Sequence, residues 1–231
     1  MSVSLCTIGH HHLDTETVEK VARQLSDIFD INIRWGYWGD NGFVEQGRIT
    51  KHEERPYHDL LESSSREFPV LYQLDVAWDD EEETELQFFY MSIYKEIVDI
   101  SFIGWPYRES DYDRCFWENE LEMDEQTAGL LRSFRVRCKE VFGKLGCSKV
   151  YCFGGGYSST GFLEETRLGM AWNEFEDYIL SGRYLDDTED QDVYHWKDNS
   201  MIIQVSDFLS GKNPTRCQGS ADIFVDDFAD L

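Results

Sequence analysis

The sequence lacks any long apolar run. Nowhere do the ~18 consecutive apolar residues needed to cross a bilayer occur, which excludes an integral helical membrane protein. Proline is scarce, with four in 231 residues, and no linker rich in Pro or Ser interrupts the chain, so one compact unit over residues 1–231 is expected. A sub-boundary, if the chain has one, falls near 106–124. Basic side chains are few, 21 against 46 acidic, and a net charge of −25 argues against direct nucleic-acid binding through a basic footprint. The cysteines at 6, 115, 138, 147, 152 and 217 contain no C-x-x-C pair. A chain of this size folds without disulfides, so reduced, mostly buried thiols acting as small hydrophobes are expected. Met1 to Cys6 has neither a basic n-region nor a long apolar h-region, and the expected location is cytoplasmic.

What is present is core-forming material: 41% hydrophobic and 15% aromatic residues exclude a disordered chain. The charge is also unevenly placed. Residues 75–125 hold 17 acids and three bases, 174–192 hold eight acids and one base, and 222–231 hold four acids and no base. These three segments account for the whole net charge. Each run alone, such as Asp79-Asp80-Glu81-Glu82-Glu83 or Asp186-Asp187-Thr188-Glu189-Asp190, reads as a solvated loop. Together, in an aromatic-rich chain, they point to an acidic binding face that raises the on-rate for cationic partners.

Periodicity gives the elements. Val3–Gly9 reads as a strand, and Val18, Val21, Ala22, Leu25, Ile28 and Phe29 recur at helical spacing, predicting a helix over 15–29 with Asp14 as its cap. Strands are predicted at 31–37 and 43–49, the latter returning across Gly39-Asp40-Asn41-Gly42. Further strands at 68–78, 85–94 and 96–105 read as an antiparallel meander, the second apolar on both faces and therefore central. The clearest helix spans about 124–145, with Leu130, Leu131, Phe134, Cys138, Val141, Phe142 and Leu145 on one face. Arg132, Arg135, Arg137, Lys139 and Lys144 are assigned to the other face, the one basic patch of the sequence. A strand at 150–153, helices at 164–168 and 171–180, and a late hairpin from 193–196 and 201–205 follow. Runs of strands with grouped helices predict an α+β fold: a mainly antiparallel sheet of about six to eight strands with the helices on one face. The tail, residues 221–231, mixes Ile223, Phe224, Val225 and Phe228 with acids. It is expected to dock on the protein's own core, where the basic helix face could receive it, the alternative being a short helix offered to a partner groove.

Enzyme-like signals are thin. Gly154-Gly155-Gly156-Tyr157-Ser158-Ser159-Thr160-Gly161 follows an apolar strand, and Gly155, Gly156, Ser158, Ser159 and Thr160 could cradle a phosphate. The segment lacks the Gly-Lys-Ser/Thr ending of a P-loop and misses G-x-S-x-G, because Thr160 replaces the second glycine. His10-His11-His12 cannot readily converge on one metal, since consecutive side chains of an extended chain alternate in direction. His52, His58 and His195 show no ligand spacing, so no metal and no cofactor is expected. With 46 acids, carboxylate pairs carry no information, and no catalytic residue is assigned.

Two clusters, Arg34-Trp35-Gly36-Tyr37-Trp38 and Trp105-Pro106-Tyr107-Arg108, carry the residue types that dominate interface hot spots. The expectation that follows is a non-enzymatic, acidic inhibitor protein that occludes the cationic cleft of a basic partner. An immunity protein neutralising a toxin nuclease is its most concrete form. Its contacts would be Asp79, Asp80, Glu81, Glu82, Glu83, Asp186, Asp187 and Asp190, with Trp35, Trp38, Trp105 and Tyr107 as apolar anchors. The alternative is an enzyme or ligand-binding domain that holds a phosphorylated or nucleotide ligand at Gly154–Gly161, with Arg132, Arg135 or Arg167 offsetting the negative field.

Overall fold

Thr17, not Asp14, starts the first helix. Its hydroxyl accepts the Lys20 N–H at 3.2 Å and satisfies one of the donors that a helix start leaves unpaired. Asp14 instead accepts the Glu16 N–H at 3.0 Å and meets the Lys20 ammonium at 3.3 Å. The helix, α1 (Val18–Phe29), ends at Asp30 in the left-handed region at φ 60°. The computed structural model describes residues 6–30, 32–39, 42–49, 70–76, 87–102, 125–153, 169–181, 202–210 and 223–231.

The strands are β1 (Cys6–His10), β2 (Ile33–Gly39), β3 (Gly42–Ile49), β4 (Val70–Val76), β5 (Gln87–Ile93), β6 (Ile97–Phe102), β7 (Val150–Phe153), β8 (Ile202–Gln204) and β9 (Ile223–Asp226). They form one sheet in the order β3-β2-β4-β5-β6-β1-β7-β9-β8, antiparallel throughout except for the parallel β8–β9 pair. This is the expected α+β fold with a mainly antiparallel sheet, and the β4-β5-β6 meander stands as read. The sheet has more strands than the six to eight expected, because the final acidic segment enters it as β9, with all four residues buried. The 201–205 stretch is divided between β8 and a short helix, α4 (Val205–Leu209). The helix expected at 164–168 and the strand at 193–196 lie outside the described residues.

Period-two alternation decides which helix covers which face. Val150, Cys152 and Phe224 join Val98 and Ile100 on the face covered by α1 and by α2 (Glu125–Lys144), where Leu25, Leu131, Phe134 and Phe142 complete the main core. Ile8, Tyr151, Ile223 and Val225 point the other way and meet Phe175, Tyr178 and Ile179 of α3 (Trp172–Leu180). The two long helices thus share a face, while α3 departs from that grouping. The strands β1, β7 and β9 are buried on both faces and need a second cover. Among the described residues no helix is long and apolar enough to cross a membrane.

The β2–β3 hairpin carries a bulge: Trp35 pairs with Gly47 but Gly36 pairs with Glu45. Trp35 is 8% exposed and lies in the main core, so its indole faces inward and is not offered to a partner. A Cβ on Gly47 would come within 2.2 Å of the Trp35 ring. Gly47→Ala should therefore cost about 1–3 kcal/mol in urea unfolding. Gly129→Ala, inside α2 with nothing within 4 Å of the added carbon, should instead gain about 0.5–1 kcal/mol. Equal effects at the two glycines would refute the packing of Trp35 over Gly47.

Candidate functional site

The three consecutive histidines are separated by the chain's alternation, as an extended strand end requires. His11 is 2% exposed. Its Nδ1 accepts the Leu13 N–H at 3.1 Å, which places the ring proton on Nε2, 2.9 Å from the Tyr94 carbonyl. Burial drives its pKa down to about 4, helped by His10 and His12 and opposed by the Tyr94 carbonyl and Glu96. The folded chain thus refuses a proton that the unfolded chain accepts below pH ~6.5, so this contribution to stability is present above that pH and lost towards pH ~4. The loss should approach about 3 kcal/mol at pH ~4. It is measured as the difference between the native chain and His11→Gln, because the carboxylates titrate in the same range; parallel pH profiles for the two would overturn it.

His10 and His12 stay at the surface end of β1 and pack edge to face, 4.7 Å apart. His10 also stacks almost parallel on Trp172, with ring centroids 5.4 Å apart and planes 7° from parallel. Trp172 opens α3, whose cap residue Ala171 has no side-chain oxygen to offer. The missing acceptor comes from Glu96 in the β5–β6 turn, whose Oε2 takes the Trp172 N–H at 2.8 Å. A carboxylate there also suits the positive end of the helix dipole. Beside it, the Tyr151 hydroxyl donates to Glu176 Oε1 at 2.9 Å, and Lys149 pairs with the same carboxylate. Burial, then this hydrogen bond, pushes the Tyr151 phenol pKa up. Burial and the neighbouring His12 lower the His10 pKa, against the opposite pull of Glu96 and Glu176.

The second concentration of charge is internal. Arg135 was expected on the outer face of α2, yet it is 2% exposed. Its spacing from Leu131, Cys138 and Phe142 sets it on the apolar stripe. Its Nε and Nη2 donate to Asp226 at 2.6 and 2.9 Å, and both terminal nitrogens reach Asp230. Asp226 takes a further bond from the Phe228 N–H at 2.9 Å, and Lys139 Nζ donates to the Leu231 carbonyl at 2.6 Å. Burial alone would lower the Arg135 pKa, but the bonds to Asp226 and Asp230 outweigh it and the net shift is upward. The third acidic segment is therefore folded onto the basic helix, and Arg135 is not available to offset a phosphate. Burial raises the pKa of Cys138, Cys147 and Cys152, and these thiols pack as small hydrophobes in the main core.

Asp79 to Glu83, Asp186, Asp187, Asp190, Trp105 and Tyr107 lie outside the described residues, as do Gly155, Gly156, Ser158, Ser159, Thr160 and Arg167. Trp38 is placed by its backbone only, opposite Phe43 in the β2–β3 hairpin. Among the described residues, no three His, Cys, Asp or Glu side chains come together as a metal-ligand set. The grouping of Glu96, Trp172, Tyr151 and Glu176 was not foreseen. Its one sequence signal is Ala171, a cap residue without an acceptor, which requires an acceptor from elsewhere. Comparison with known proteins gives no match to any protein-family model, curated protein or solved structure.

Proposed function

We propose that the protein is an acidic binding protein that blocks a basic partner by occluding its cationic cleft, most concretely an immunity protein against a toxin nuclease. The observation that carries this reading is the bond between Glu96 and Trp172. It sets Glu96, from the first acidic segment, against the start of α3, which carries Glu174 and Glu176 of the second. Two carboxylates of the third acidic segment, Asp226 and Asp230, are held by Arg135, so most of the unbalanced charge belongs to the first two. Such a face attracts cations over a range set by ionic strength, with Debye lengths of about 30 Å at 0.01 M and 3 Å at 1 M.

The test is purification from the native source at low salt, with the recovered partner then titrated calorimetrically against the native chain and a variant carrying Asp80→Lys, Glu82→Lys, Asp187→Lys and Asp190→Lys. A stoichiometric basic partner is expected, bound tightly at low salt and weakened by the reversals, more at low salt than at high. Recovery of the chain alone at both salts, or affinity indifferent to charge reversal, would end this reading.

A further inference from the structure

We infer that Trp172, His10 and Glu96 form the docking position for a guanidinium side chain of the basic partner, held against the indole–imidazole stack and hydrogen-bonded to Glu96 Oε1. This rests on the acidic-binder reading above. Both rings are partly exposed, and Glu96 and Glu176, one from each of the first two acidic segments, lie beside them. The patch already holds one cation of its own: the Lys149 ammonium sits 5.6 Å from the Tyr151 ring centroid while paired with Glu176. The chemistry that seats an ammonium between an aromatic face and a carboxylate is therefore in use beside Trp172. That pair consumes Glu176. Glu96 spends only Oε2 on the Trp172 N–H, and Oε1 makes no hydrogen bond among the described residues. A partly exposed aromatic stack beside a carboxylate suits a planar, delocalised cation better than a compact ammonium, which favours arginine over lysine.

The test uses hexa-arginine and hexa-lysine peptides as probes, with affinity from calorimetry and the indole N–H resonance of Trp172 followed by NMR, assigned by its loss in Trp172→Phe. Glu96→Gln keeps an acceptor for the α3 N–H while removing the charge, so the helix start is preserved. Hexa-arginine should move the Trp172 resonance, bind more tightly than hexa-lysine, and lose about three- to tenfold in affinity in Glu96→Gln. A still Trp172 resonance, or unchanged affinity in Glu96→Gln, overturns the docking position. If the Asp80, Glu82, Asp187 and Asp190 reversals nevertheless weaken both peptides, the acidic-binder reading survives that failure. If those reversals also change nothing, both fall.

Discussion

Arg135→Met should destabilise the protein by about 3–5 kcal/mol, because it leaves the Asp226 carboxylate buried without its counter-charge. Asp226 is 4% exposed and takes two of its three hydrogen bonds from Arg135. Water cannot replace them without opening the contact between α2 and β9. Asp230 is different: its side chain is 48% exposed, so Asp230→Asn should cost well under the Asp226 effect, about 1 kcal/mol or less. The double variant Arg135→Met with Asp226→Leu removes both charges together and should recover most of the loss, since an apolar pair of similar volume is tolerated where a lone charge is not. Urea denaturation of the three variants checks this, with slopes compared to confirm the same cooperative unit. A single-variant loss below about 1 kcal/mol would show that the clamp contributes little.

Phe142→Ala should cost a similar amount, about 3–5 kcal/mol, for a purely apolar reason. Phe142 is fully buried, and its ring lies so close to β1 that a Cβ on Gly9 would come within 2.8 Å of Cδ1. Its carbonyl also accepts the Leu145 and Cys147 N–H groups that end α2. Truncation leaves a cavity between helix and strand that the closed turn cannot collapse to fill. Gly9→Ala alone should also destabilise, by driving that carbon into the ring. Combining Gly9→Ala with Phe142→Leu should cost less than the separate losses added, since the new methyl enters space the smaller side chain vacates. Additive losses in thermal or urea unfolding would mean that the two residues do not share one contact.

Much of the fold is legible from local pattern. The apolar spacing of Val18, Val21, Ala22 and Leu25 marks α1, and the alternation through residues 87–102 marks two strands of the meander. Sheet order is not local information: nothing in residues 6–10 states that they pair between β6 and β7. Arg135 departs from the expected outer face because helical spacing outranks residue type. Its interval from Leu131 and Cys138 sets it inside, and its partners, Asp226 at the end of β9 and Asp230 beyond it, lie about ninety residues later. The grouping of His10, Glu96 and Trp172 was illegible for the same reason, since three separate elements meet only after the sheet has formed. The acidic segments could be read directly from composition, but the bond between Glu96 and Trp172 could not.

The position of β1 has a consequence for the order of assembly. Gly9, near the start of the sequence, pairs with Val98 and with Val150, and β9 must then enter between β7 and β8. Among the described strands, only the β2–β3 hairpin and the β4-β5-β6 meander can form from sequence neighbours. The half of the sheet built from β1, β7 and β9 requires closing very long loops before any contact compensates for them, which slows folding. During synthesis, β7 emerges with one edge unpaired, and Arg135 waits for carboxylates that arrive about ninety residues later. Completion of that half is therefore a late event, and the Arg135 clamp is among the last contacts to close.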